Sequence, residues 1–355
     1  MSHANDARSS AQPSFRWRYL LVFLLVVGPI VSWLLDPAGF LAGGSWLGFL
    51  MIHLLVPALD ALIGEDDESP LRGPTHRLNR LLPLLCLPAW YLLMFWAMTI
   101  EAAASARGWW GLALSLGASG GILAINAGHE LIHRPSRAER TAGALLLIGV
   151  CYGAFKIEHV RGHHLRVATP LDSASARRGE SVYAFIPRSV LGTLRHAWTI
   201  ERDRLVAAGT SIWSWRNEWL RLAAGSLALA LLVGAGFGAT ALAMFLVASA
   251  VAIVELEVIN YIEHYGLERR QLPDGRFEPV TPAHSWNANT GIVNAFLFNL
   301  QRHADHHAHA GRDYLHLRSL PQAPTLPAGY GAMVLAALVP PLWRRLMEPR
   351  LQRLA

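Results

Sequence analysis

The sequence LQRHADHHA at residues 300–308 places three histidines within five residues, at His303, His306 and His307. In a helix, side chains three and four positions apart lie on one face. Imidazole nitrogens gathered on one face are typical of a transition-metal site. The fold must therefore bring further ligands to this stretch.

The composition indicates a membrane protein. Hydrophobic residues make up 53% of the 355 residues, and charged residues make up only 16%. Several apolar runs approach the roughly 20 residues that a helix needs to cross a bilayer. The six predicted spans lie at about 17–35, 40–63, 81–100, 109–133, 221–236 and 239–260. The predicted fold is all-α, with a polar tail over residues 1–16 and one integral-membrane domain over 17–355.

The placement of basic residues predicts the orientation. With the N-terminus inside, the loops at 36–39, 101–108 and 234–238 lie outside, and they contain one basic residue, Arg107. Lys and Arg accumulate in cytoplasmic loops. Both termini and every histidine-rich stretch, including that in the long loop 134–220, are therefore predicted to be cytoplasmic. The apolar stretch 330–346 contains two prolines and two arginines, which favours an interfacial or packing segment over a seventh span.

Three further stretches carry histidines. The sequence HELIH at 129–133 matches H-E-x-x-H, in which two histidines bind zinc and the glutamate activates water. The stretch 158–164 adds three histidines, and 263–266 adds one. The full set has nine members: His129, His133, His159, His163, His164, His264, His303, His306 and His307. Because one metal takes about four to six ligands, nine imidazoles predict two metals, and they suit Fe, Cu, Ni or Zn.

Each of the four stretches also carries a carboxylate. These are Glu130, Glu158, Glu263 and Asp305. A ligating imidazole commonly donates its second N–H to a carboxylate. We predict that some of the four orient histidines in this way, whereas others bridge or bind metal directly. Glu255 and Glu257 lie in the last turns of the sixth span, where proton relay and snorkelling are both open interpretations.

Isolated histidines are predicted to be structural. This class contains His53, His76, His196, His284 and His316, while His3 lies in the tail and His309 in a loop. Cys86 and Cys151 do not form a C-x-x-C pair, which argues against an iron–sulfur centre or a fused rubredoxin module. The formal charge of +6 is accounted for by cytoplasmic loops, so nucleic-acid binding is not predicted.

Two other function classes fit parts of the pattern. A zinc membrane protease fits residues 129–133, but it needs one further ligand rather than seven more histidines. A metal transporter or sensor is a second alternative. Against it, transport sites lie near the bilayer midplane, whereas these ligands lie beyond the spans.

The four motifs, in this order, resemble those of the integral-membrane alkane 1-monooxygenases, within the histidine-rich membrane desaturase–hydroxylase group. Besides the histidines, the resemblance rests on NYIEHYGL at 260–267, HSWN at 284–287, and VATP at 167–170 followed by Asp172. Arg134 stands where the family usually has lysine, which keeps the charge.

The resemblance implies a six-helix enzyme of the bacterial inner membrane with a non-haem di-iron site held by the nine histidines. It implies O₂ as co-substrate and electrons from a separate rubredoxin, which an NAD(P)H-dependent reductase reduces. The implied reaction converts the terminal methyl of a medium- or long-chain n-alkane to a primary alcohol. Ile52 aligns with a channel position that limits chain length in the family. Methyl hydroxylation of aromatics or terpenes, and lipid desaturation, remain alternatives on the same scaffold.

Overall fold

The apolar runs form long helices in the computed structural model, which describes residues 15–354. Most of the predicted tail, with His3, lies outside the described residues. Within them the chain is helical, with only isolated β-bridges. The helices are α1 (Trp17–Leu35), α2 (Trp46–Ile63), α3 (Arg77–Ala103), α4 (Ala106–Ile132), α5 (Arg137–Ile148), α6 (154–166), α7 (Val182–Ala207), α8 (Glu218–Phe237), α9 (Ala239–His264), α10 (Gly291–Phe296), α11 (His303–Ala308), α12 (Tyr330–Ala337) and α13 (Pro340–Leu354).

Six of the described helices, namely α1, α2, α3, α4, α8 and α9, are long and apolar enough to span a membrane. The predicted all-α, six-span fold is confirmed, although some bounds differ. The second span begins at Trp46 rather than at residue 40, because Gly43 has a φ of +156° and interrupts the helix. The sixth span continues to His264, so its last turn carries both Glu263 and a histidine of the predicted site.

The loops that precede α2 and follow α3 meet at one end of the bundle. The backbone N–H of Ser105 donates to the carbonyl oxygen of Leu41 at 3.0 Å. The hydroxyl of Thr240, at the start of α9, donates to Glu101 at 2.9 Å. The loops predicted to lie outside are therefore neighbours, and the histidine stretches lie at the opposite end of the spans.

The opposite end is covered by the shorter helices. The interval 134–220, predicted as a long loop, contains α5, α6 and the 26-residue helix α7. Helix α13 packs against the end of α9, where the ring of Trp343 lies 5.1 Å from that of Tyr261 and 5.3 Å from that of Tyr265. The segment 330–346 is thus a packing segment, as predicted.

A buried arginine holds α11 in place. Arg302, directly before the helix, donates to Asn289 at 2.9 Å, to the carbonyl oxygen of Leu317 at 2.9 Å and to Asp66 at 3.2 Å. Asp66 also accepts hydrogen bonds from Arg18 of α1 at 2.7 and 2.8 Å. Because hydrogen bonds to charged groups are stronger than neutral ones, this network fixes the histidine-bearing helix to the spans.

Candidate metal centre

Four separate parts of the chain bring all nine predicted histidines together. Helix α4 and its end, α6, the last turn of α9, and α11 contribute them. One set, the five-histidine group, contains His129, His133, His159, His164 and His306. The other set, the four-histidine group, contains His163, His264, His303 and His307. In each group, one possible ligand atom from every residue lies within 4.8 Å of the others.

The ring nitrogens are spaced as ligands of shared metals. Nitrogens about 2.0–2.1 Å from one metal lie roughly 3 Å from their neighbours. The Nε2–Nε2 distances are 3.1 Å for His129–His306, 3.0 Å for His159–His164, 3.2 Å for His264–His303, 2.9 Å for His303–His307 and 3.2 Å for His163–His307. The buried Nε2 of His133 has no hydrogen-bond partner. Nine imidazoles therefore fit two transition-metal ions, one in each group.

Local helix geometry divides neighbouring histidines between the groups. Residues His159–His163 form a π-helical turn within α6, whose hydrogen bonds join residues five apart. His159 and His164 accordingly share one group, while His163 joins the other. In α11, His306 belongs to the five-histidine group, whereas His303 and His307 belong to the four-histidine group. Helix α11 therefore lies between the two groups and supplies histidines to both.

Burial keeps most of these imidazoles neutral. It lowers the pKa values of His303, His306 and His307 well below the usual range, and neighbouring histidines lower them further. Burial also lowers the pKa of His133 to about 4. Neutral rings keep a lone pair free, which metal binding requires.

Asp172 contacts one histidine of the site, although the sequence indicated it only as part of the family motif and not as a site residue. Its Oδ2 lies 2.9 Å from Nδ1 of His163 and accepts a hydrogen bond from the hydroxyl of Ser175 at 2.6 Å. Burial lowers the pKa of His163, but the adjacent carboxylate outweighs it and leaves the pKa raised. The available clue was its position in the family motif after residues 167–170. Helical spacing could not indicate this contact, because Asp172 lies in a turn nine residues beyond His163.

The four predicted carboxylates occupy different surroundings. Among these four carboxylates, Glu263 lies within hydrogen-bond distance of a histidine of the two groups, with its Oε2 3.2 Å from Nε2 of His303. Glu130 pairs with Arg134 at 2.7 Å instead. Glu158 is buried, and its nearest imidazole is that of His196 at 3.6 Å. Their roles in metal binding remain predictions.

Asp305 faces away from both groups. It pairs with Arg312 and with Arg318, the latter at 2.9 Å, and lies 3.3 Å from the exposed His309. The fully buried Glu257 accepts a hydrogen bond from the hydroxyl of Tyr152 at 2.6 Å, so snorkelling is the wrong interpretation for this residue. The five isolated histidines belong to neither group.

A cavity of ≈ 1060 Å³, its opening included, leads to the histidines. Its lining comes mainly from α2, α4, α9, α10 and α12. Ile52, Ile122, Ile125 and Phe296 are among its apolar residues. His129 and His159 of the five-histidine group and His303 of the four-histidine group also line it. The cavity therefore joins an apolar surface to both groups.

The sequence comparisons agree with this arrangement. A family model described as fatty acid desaturase matches residues 107–335. An alkane 1-monooxygenase 2 of Pseudomonas aeruginosa is 39% identical, covering 95% of this chain and 92% of that protein. One from Alcanivorax borkumensis is 42% identical, covering 87% and 83%. The chain belongs to the alkane 1-monooxygenase family. A xylene/toluene monooxygenase hydroxylase component of Pseudomonas putida is 30% identical, covering 88% and 85%.

Membership of this family makes the protein a multi-pass membrane monooxygenase. The interpretation of residues 129–133 as a zinc protease motif is wrong. His129 and His133 share their group with three further histidines, and Glu130 is held in an ion pair with Arg134. That glutamate is therefore not placed to activate a water on a two-histidine zinc.

Proposed function

We propose that the protein hydroxylates the terminal methyl of medium- and long-chain n-alkanes at a non-haem di-iron centre. The observation that carries this proposal is the apolar cavity that ends on histidines of both groups. Two iron ions held by the nine histidines would supply the activation of O₂. Imidazole binds several metals, so the choice of iron rests on the family.

The protein's own residues would bind and position the substrate. An alkane has no polar group, so its affinity comes from burial, about 0.8 kcal/mol per CH₂. The apolar cavity would also hold one end of the chain toward the histidines, which favours the terminal carbon. One oxygen atom enters the alcohol, and the other leaves as water with two electrons and two protons. We infer that a separate rubredoxin and its reductase supply the electrons on the cytoplasmic side.

A second candidate is hydroxylation of methyl groups on aromatic rings. The 30% identity to the xylene/toluene component favours it, whereas the alkane enzymes reach 39–42%. Lipid desaturation, suggested by the description of the family model, is a third possibility on the same scaffold.

One experiment separates the two hydroxylation candidates. The membrane-bound protein is supplied with O₂, rubredoxin and its reductase, and is given octane, hexadecane or xylene, while its metal content is measured. We expect two irons per chain and O₂-dependent formation of 1-alkanols. A single zinc, turnover without O₂, or products from xylene alone would refute the proposal.

Ile52 provides a test of chain-length selection. Its side chain lines the cavity, and no aromatic residue occupies this position. In Ile52→Trp, the larger ring would shorten the space for the substrate. We expect the longest accepted alkane to become shorter, measured by competition within a C6–C16 mixture, while Ile52→Leu serves as the size-matched control. The same product profile in Ile52→Trp and the wild type would contradict the assignment.

A further inference from the structure

His53 and Glu255 form a polar pair in the wall of the largely apolar cavity. Nε2 of His53, on α2, lies 3.1 Å from Oε1 of Glu255, on α9, and both side chains line the cavity. Ionisable residues within membrane spans are costly and usually mark functional sites. His53 also lies in a π-helical turn, Met51–Leu55, a feature frequent at such sites.

Both ring nitrogens of His53 face oxygen atoms. Nδ1 of His53 lies 3.0 Å from the carbonyl oxygen of Phe49, which can only accept a hydrogen bond, so Nδ1 carries a hydrogen. Nε2 of His53 faces Oε1 of Glu255 at 3.1 Å. The acceptor that this leaves for a ligand is Oε2 of Glu255. A hydroxyl group can donate its hydrogen to this oxygen.

A glycine makes room for the carboxylate. A Cβ atom added to Gly121 of α4 would lie 2.6 Å from Oε2 of Glu255. Any larger residue would displace this oxygen. The carboxylate is therefore set against the α4 backbone and facing the cavity.

The pair lies far along the cavity from the histidines. Glu255 precedes Glu263 by eight residues on α9, and Gly121 precedes His129 by eight residues on α4. All four residues line the cavity. At 1.5 Å per residue, both helices separate the pair from the histidine end by roughly 12 Å.

We propose that Glu255, held beside His53, accepts a hydrogen bond from the hydroxyl group of a medium-chain primary alkanol. An extended chain advances roughly 1.2 Å per bond, so about ten bonds span the distance from the pair to the histidines. Alkanols of roughly eight to twelve carbons would then place their methyl at the histidine end. This inference rests on the proposed function, because it uses the same hydroxylation of a terminal methyl.

The resulting product is an α,ω-diol. A C–H bond of the far methyl is replaced by a C–O bond to one atom of O₂. The second oxygen atom leaves as water after it takes two protons and two electrons from the external carrier. The alkanol's own hydroxyl is unchanged, so the product differs from the aldehyde that results when the alkanol enters the cavity in the opposite direction.

The test compares 1-alkanols with n-alkanes of the same length, from C8 to C14, in the membrane-bound protein with rubredoxin and its reductase. We expect diols, with a maximum of kcat/KM between roughly C8 and C12. In the double variant His53→Leu/Glu255→Leu, the ratio of kcat/KM for alkanol to that for alkane should fall on the order of tenfold. Because each variant is its own reference for the ratio, a general loss of protein does not affect the result.

Two further variants keep the test decisive if the double variant fails to accumulate. Glu255→Gln keeps the side-chain volume and should lower the ratio roughly threefold, and Gly121→Ala should lower it by displacing the carboxylate. Alkane hydroxylation with only aldehyde from alkanols, or an unchanged ratio in the variants, would overturn this inference alone. Failure of the wild type to hydroxylate either class would overturn the proposed function as well.

Discussion

The two histidine groups are supported in different ways. In the four-histidine group every residue is buried, Asp172 contacts His163, and Glu263 contacts His303. No described carboxylate makes such a contact with the five-histidine group, in which His133 and His164 are only half-buried. Its helices are instead fixed from outside, by Arg134 with Glu130 and Asp313 and by Arg161 with Glu201. Asp172 orients one histidine of the four-histidine group through Nδ1, and Glu263 contacts Nε2 of His303, the nitrogen that faces the other histidines. The five-histidine group is held by its scaffold instead.

Removal of a histidine from each group has the largest expected effect. We expect His306→Ala and His303→Ala each to lower hydroxylation by at least about a hundredfold, since loss of a ligand exceeds the loss of an outer partner. Iron content should fall further in His303→Ala than in His306→Ala. The first variant leaves three histidines in its group, whereas the second leaves four. His309→Ala, outside both groups, is the control. Full iron content and activity in His306→Ala would contradict the assignment.

Loss of the contact between Asp172 and His163 should have the next largest effect, on metal binding. Asp172→Asn removes the charge beside His163 and should weaken metal binding by about 10–100-fold. Asp305→Asn is the matched control, because Asp305 is also buried and hydrogen-bonded but its partners are Arg312 and Arg318. Retention of iron during dialysis against a chelator measures the difference. Equal iron loss in both variants would refute direct orientation by Asp172.

The six spans were predictable because a bilayer demands long apolar runs, and the nine histidines because they cluster in the sequence. The ends of the spans were not predictable in this way. Gly43 breaks one apolar run, and polar residues of the last turn extend α9 to His264. The division of the histidines depends on the π-turn in α6 and on the position of α11 between the groups. Helical periodicity describes neither feature. Asp172 reaches His163 through a turn, so tertiary contact decides its role.

The outer scaffold of the five-histidine group gives the smallest expected effect on activity. Glu201 accepts hydrogen bonds from Arg161 at 2.5 Å, from Arg204 at 2.8 Å and from the backbone N–H of Glu218 at 2.9 Å. Burial raises the pKa of this carboxyl, but these donors outweigh burial and lower it to about 2. A depressed folded-state pKa stabilises the protein above the unfolded value, about 4.3, and this contribution is lost as the pH falls toward 2.

We therefore expect Glu201→Gln to lower stability near neutral pH by about 1–3 kcal/mol, while activity falls less than tenfold because no ligand of either group is removed. Thermal inactivation from pH 3 to pH 7 measures the effect. The difference between variant and wild type should shrink below about pH 4.3, where the unfolded carboxyl becomes protonated. A difference of the same size at pH 3 and pH 7 would show that packing, rather than charge, connects Glu201 to the helix that carries His159 and His164.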